Sequence, residues 1–152
     1  MDKAIGKKYK TGGYDLDYLI EVREEKTIAE IFAEDGEDYF RKTESTVLKW
    51  FDQKKTYVLA TGGGAPCFFD NMAWMNQQGI TIWLDEPLPV IAARLAPEKE
   101  HRPLIAKLSD SELIDFLEKQ RATRLPFYSA AQIHLKDNPI TADSFKKALA
   151  KL

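Results

Sequence analysis

A chain of 152 residues with a formal net charge of -2, 44% hydrophobic and 30% charged, has the size and composition of one globular domain, which excludes disordered, collagen-like and fibrous classes. Its near-balanced charge argues against a surface that tracks nucleic acid, so the expected partner is a small molecule. The single cysteine, Cys67, rules out an internal disulfide and a cysteine-based zinc cluster. No apolar run approaches a membrane span and the charged start is no signal peptide, so a cytoplasmic protein is expected.

In chain order, Tyr14-Asp-Leu-Asp-Tyr18 reads as an extended segment, which would put Asp15 and Asp17 on one face. Thr27 followed by Glu30 is a capping-box pattern and predicts a helix over 28–34 ended by Gly36. Phe40, Val47, Leu48 and Phe51 recur at helical spacing and predict a second helix over 37–52, with Lys42 and Lys49 on a solvated face. The apolar run 57–60 stops at Thr61-Gly62-Gly63-Gly64, as a buried strand opening into a loop does. A second such strand covers 81–84. Asp85, Glu86 and Pro87 then suit the start of a helix that turns Val90, Ile91 and Leu95 inward and ends near Arg94. Ser109 with Glu112 is another capping box, opening a helix through Leu113, Ile114, Phe116 and Leu117. A last strand is expected at 132–135, and Thr141 caps a closing amphipathic helix.

Short buried strands alternating with helices imply an α/β fold, a three-layer α/β/α arrangement around a mostly parallel central sheet, formed by one domain over 1–152. Ligands of such sheets sit at the carboxyl ends of the strands, which here means Gly62, Gly63 and Gly64. Three glycines let a ligand approach the backbone closely, although a plain turn uses the same residues. Asp15 and Asp17 can hold a substrate hydroxyl or organise the waters of Mg²⁺, or simply close a polar strand end. Arg41, Arg102 and Arg124 carry a planar fork suited to carboxylate and phosphate oxygens, against the plainer alternative of a surface salt bridge. Arg102 lies in a polar stretch, about 97–111, long enough to be a mobile lid. His101 and His134 have no metal-ligand spacing, and Cys67 beside Pro66 reads as a small buried side chain and not a nucleophile.

Taken together, these segments resemble the shikimate kinase family, P-loop kinases of the nucleoside-monophosphate-kinase type, in order and wording from Tyr14 to Leu152. The motifs are Asp-Leu-Asp at 15–17, Thr-Ile-Ala-Glu-Ile-Phe-Ala-Glu-Asp-Gly-Glu at 27–37, Tyr-Phe-Arg at 39–41, Thr-Gly-Gly-Gly-Ala at 61–65, Arg-Pro-Leu at 102–104 and Arg-Leu-Pro-Phe-Tyr at 124–128. The resemblance implies ATP-dependent phosphorylation of the shikimate 3-hydroxyl, in the biosynthesis of chorismate and the aromatic amino acids, by a monomer. It implies that Asp17 binds the substrate hydroxyls and helps deprotonate the attacking one, and that Asp15 orients the Mg²⁺ shell through water. Arg41 and Arg124 would clamp the shikimate carboxylate. Gly62, Gly63 and Gly64 would line the same pocket, with Phe32, Phe40 and Pro103 as apolar walls. Arg102 would stabilise the transferring γ-phosphoryl group of ATP, and Arg94 would lie against the adenine. A kinase for another small hydroxy acid, such as gluconate, and a non-catalytic binding relative are the alternatives.

The family opens on a Gly-x-x-x-x-Gly-Lys-Ser/Thr loop that cradles phosphates, and that pattern does not occur in the sequence. Ala4 to Lys8 instead resemble the helix that follows the loop, and no glycine loop precedes Lys3. The stretch from Ile5 to Asp15 looks too short for the rest of a helix, a connection and a strand. The expectation is therefore that residues of the whole protein are missing from the sequence in both places, and that activity is in doubt only if the sequence is complete.

Overall fold

The computed structural model describes residues 2–8 and 10–152. In order they form α1 (Asp2–Lys8), β1 (Gly12–Asp15), α2 (Leu16–Glu24), α3 (Ile28–Glu34), α4 (Glu37–Leu48), β2 (Tyr57–Ala60), α5 (Asn71–Gln78), β3 (Ile82–Leu84), α6 (Leu88–Leu95), α7 (Asp110–Tyr128), β4 (Ile133–Leu135) and α8 (Ala142–Leu149), with 3-10 turns at Lys49–Gln53, Ala65–Cys67 and Ala96–His101. This is the expected α/β fold. Among the described residues, no helix is long and apolar enough to cross a membrane.

Local chemistry sets most of these boundaries. Thr27 accepts from the Glu30 N–H at 3.1 Å and starts α3, while Gly36, at φ 87°, separates it from α4. Ser109 and Glu112 form a reciprocal capping box at the head of α7, and Thr141 with Ser144 does the same for α8. The predicted helix over 37–52 is α-helical only to Leu48 and tightens into a 3-10 turn beyond it. Leu113 and Leu117 turn into the core from α7, whereas Ile114 is exposed.

Among the described residues both strand pairs are parallel. β1 runs beside β2 with Asp15 opposite Ala60, and β3 runs beside β4 with Leu84 opposite Leu135. Among the described residues these are two separate two-stranded sheets and not one continuous one. Ile5 of α1 packs in one apolar cluster with Val58 of β2, Ile82 of β3, Leu135 of β4 and Phe145 of α8, which joins the two. Because β1 and β2 are parallel, the start of α2 and the glycine loop emerge at the same end.

Three expectations are corrected by the structure. Residues 14–18 are not extended throughout: Asp15 ends β1 and N-caps α2, accepting from the Tyr18 N–H at 3.3 Å, and Asp17 lies in the first helical turn. Leu16 and Ile20, four apart and both fully buried, hold that helix in the core, so helical spacing overrides strand alternation. The stretch from Ile5 to Asp15 also proves long enough. The Thr11 N–H donates to the Gly6 carbonyl at 2.8 Å, and a Cβ on Gly6 would stand 2.9 Å from the Gly13 nitrogen, so the strand leaves directly along the helix. Residues 97–111 are not uniformly polar either, since Ile105 is buried against Leu113 and Leu117 of α7 and is flanked by Leu88, Ile91 and Leu95 of α6.

Candidate active site

Beyond β2 the chain passes through Gly62, at φ 76°, a left-handed conformation that favours glycine, and then Gly63 and Gly64. This loop is tied to α4 by Asn71, which is fully buried. Its Nδ2 donates to the Ala65 carbonyl at 2.8 Å, and its Oδ1 accepts from Ser45 Oγ at 2.7 Å. The tie holds the buried face of α4, with Arg41 and Glu44, against the glycines.

Arg41 is 6% exposed, unusual for a residue that is mostly found at surfaces. Its Nη1 donates to Glu44 at 3.1 Å, and its guanidinium lies 4.2 Å from the centre of the Phe68 ring and 5.2 Å from that of Phe40. A Cβ on Gly64 would collide with Nη1 and stand 2.9 Å from Cζ. The Nε of Arg41 is buried with no hydrogen-bond partner among the described residues, so one charged donor is unsatisfied in the protein alone.

From the other side, α7 supplies Arg124. Its Nη1 donates to Tyr128 Oη at 3.3 Å, and the Tyr128 hydroxyl donates to the Gly63 carbonyl. A Cβ on Gly63 would stand 2.6 Å from Arg124 Nη1 and 2.7 Å from Tyr128 Oη. Two guanidinium groups thus close on consecutive glycines.

The carboxylates of the site respond to that field. Burial pushes the Glu44 carboxyl up to about 7, against the lowering influence of the Arg41 charge and hydrogen bond, with Asp17 raising it and Arg124 lowering it further. Burial also lifts Asp17 above the usual carboxylate range, reinforced by Asp15 and opposed by Arg102 and Arg41. The structure therefore brings Asp17, Arg41, Arg124, Gly63 and Gly64 together, with Asp15 and Arg102 close enough to act on Asp17. Gly62 belongs to the loop, but a Cβ there would meet nothing within 4 Å.

Arg94 lies apart from this cluster. It is largely exposed and ion-paired with Glu86, and with Arg102, Ile91, Leu95 and Glu98 it lines a groove of about 500 Å³. Cys67, expected to be buried, is half-exposed; its thiol is pushed up by burial, against the lowering influence of Arg124 and Arg41. His134 Nε2 meets Asp85 Oδ2 at 2.7 Å.

Sequence reasoning passed over Glu44 and Tyr128. The Arg41–Glu44 and Arg124–Tyr128 spacings, three and four residues, are those of neighbours on a helix face and were the available signal.

The chain is similar to known proteins in sequence and in fold. A model of the shikimate kinase family matches residues 2–152. A shikimate kinase of Phocaeicola vulgatus is 40% identical over 159 aligned residues, covering 99% of this chain and 91% of its own. The crystal structure of a shikimate kinase from Bacteroides thetaiotaomicron superposes with a TM-score of 0.87 at 37% identity, covering 99% of this chain and 89% of the other. A shikimate kinase from Acinetobacter baumannii, solved in complex with shikimate, also reaches 0.87, at 27% identity over 99% of this chain and 82% of its own. The doubt raised by the missing Gly-x-x-x-x-Gly-Lys-Ser/Thr pattern is not borne out, because the match extends over 2–152. With its parallel α/β fold and its paired arginines above the glycine loop, the chain belongs to the shikimate kinase family of ATP-dependent phosphotransferases.

Proposed function

We propose that this chain transfers the γ-phosphoryl group of ATP to the 3-hydroxyl of shikimate, giving shikimate 3-phosphate on the route to chorismate and the aromatic amino acids. The observation that carries this reading is the convergence of Arg41 and Arg124 on Gly64 and Gly63, with the Arg41 Nε buried and without a hydrogen-bond partner among the described residues. A planar carboxylate is the group that satisfies such a pair of forks. Phe32 and Phe40, with ring centroids 4.9 Å apart, provide an apolar wall for a carbocyclic ring.

Phosphoryl transfer depends mainly on positioning and electrostatic stabilisation. Asp17 accepts the proton of the attacking hydroxyl, and its raised proton affinity makes it a better base than an ordinary carboxylate. Arg102 stabilises charge on the transferred group, Arg94 packs against the adenine in the groove they share, and 97–111 closes over both. Among the described residues no cluster of three or more carboxylate, histidine or cysteine side chains could hold a metal ion. The exposed oxygen donors of Asp15 fit an Mg²⁺ ion carried mainly by phosphates and water, with Asp15 bonded through water. When bound, Mg²⁺ neutralises charge on the phosphate oxygens. A single unpaired cysteine supports a reducing compartment such as the cytoplasm.

The test is ADP formation from Mg²⁺-ATP with a panel of acceptors. Turnover with shikimate and little with gluconate is expected. Turnover with gluconate and none with shikimate would overturn the reading.

A further inference from the structure

We propose that Tyr128 is a positioning residue that sets the preference for a carboxylate-bearing substrate, by fixing the Arg124 guanidinium against Gly63. The inference rests on the reading of Arg124 as one half of the carboxylate clamp.

Arg124 and Tyr128 are one turn apart in the last part of α7, and the phenol oxygen both receives the Arg124 Nη1 proton at 3.3 Å and donates its own proton to the Gly63 carbonyl. Arginine side chains rotate about several bonds, and a guanidinium fixed at one corner presents its remaining N–H groups in a defined direction. Gly63 completes the arrangement, since a side chain there would overlap both Arg124 Nη1 and Tyr128 Oη.

The ring of Tyr128 is held independently of its hydroxyl. It lies 5.6 Å, centroid to centroid, from Trp83 of β3, which stacks on His134 of β4 at 4.0 Å and 7°. Arg121, earlier on the same helix, pairs with Asp85 at 2.6 Å and ties α7 to the end of β3. Removing only the phenol oxygen should therefore leave α7 in place while freeing the Arg124 guanidinium. Burial raises the phenol above its ordinary value, with the Arg124 charge opposing, so the hydroxyl stays protonated and able to donate at neutral pH.

Tyr128→Phe and Arg124→Ala are compared with the unaltered chain on shikimate and on its methyl ester, which has the same ring and no carboxylate charge. For Tyr128→Phe, KM for shikimate should rise about fivefold to tenfold with kcat nearly unchanged, the pattern of lost uniform binding. The kcat/KM preference for acid over ester should fall by the same factor, and KM for ATP should not move. An unchanged preference in Tyr128→Phe, with a collapsed one in Arg124→Ala, overturns the role of Tyr128 and leaves the clamp standing; a lowered melting temperature with no change in preference does the same. If neither variant alters the preference, the clamp fails and the inference fails with it.

Discussion

Arg41 and Glu44 lie one turn apart on the buried face of α4, joined by a hydrogen bond of 3.1 Å, and the acid is the less exposed partner, at 2% against 6%. Burial pushes that acid up to about 7, so the charge available from Arg41 changes with pH near neutrality. Below this value Glu44 is neutral and the Arg41 charge is left for a substrate carboxylate; above it Glu44 competes as an anion. Asp17 and Arg124 also act on Glu44, in opposite senses.

Affinity for shikimate should therefore fall as pH rises through about 7. Glu44→Gln, which remains neutral, should flatten that dependence in KM measured across the range. For stability the sign is the same. The folded acid binds its proton more tightly than the unfolded one, so its contribution is complete below the ordinary carboxyl value of 4.5 and is lost as pH rises through about 7. Denaturant midpoints of the two proteins should converge at low pH and separate above neutrality, with Glu44→Gln the more resistant.

Gly64 and Gly62 should respond differently to alanine. At Gly64 the added methyl collides with the Arg41 guanidinium, which is buried and held by Glu44, so shikimate affinity should fall more than roughly tenfold. At Gly62 the methyl meets open space but the backbone is left-handed, so the expected cost is stability, about 1 kcal/mol, with affinity little changed. Calorimetric titration with shikimate and thermal unfolding of both variants separate the effects; equal affinities would contradict the close approach of Arg41 to the loop.

Asp17→Asn tests the base. Its turnover number should drop by a factor of about 10² or more, the range of general base catalysis, while shikimate still binds. For the unaltered chain, turnover should rise with pH through a value above the ordinary carboxylate range, because burial and Asp15 raise Asp17. Full turnover by the asparagine variant would remove Asp17 from the chemistry.

Elements governed by local signals were legible in the sequence. Thr27 and Gly36 bound α3 at the predicted residues, and the run from Tyr57 to Ala60 ends as a strand where the glycines begin. The start of α2 was not, because Asp15 serves either as a strand residue or as a helix cap and only the packing of Leu16 and Ile20 decides between them. Helix α5 escaped notice because its buried anchor, Asn71, is polar and owes its place to Ser45 and Ala65. In the site, the charged and glycine residues stood out by type, as Arg41, Arg124, Asp17 and Gly64 show. Glu44 and Tyr128 did not. An acid three residues from an arginine looks like a solvated pair until Phe68 and the glycine loop cover it, and the hydroxyl of Tyr128 finds its partner at Gly63, far away along the chain.

The most direct test of the carboxylate clamp is the dissociation constant of shikimate measured by calorimetry for the unaltered chain and for Arg124→Ala. Loss of a charge-assisted pair, about 1.5–3 kcal/mol, predicts that the variant binds roughly tenfold to a hundredfold more weakly. Equal dissociation constants would contradict the assignment of Arg124 and, with it, the carboxylate site between Arg124 and Arg41.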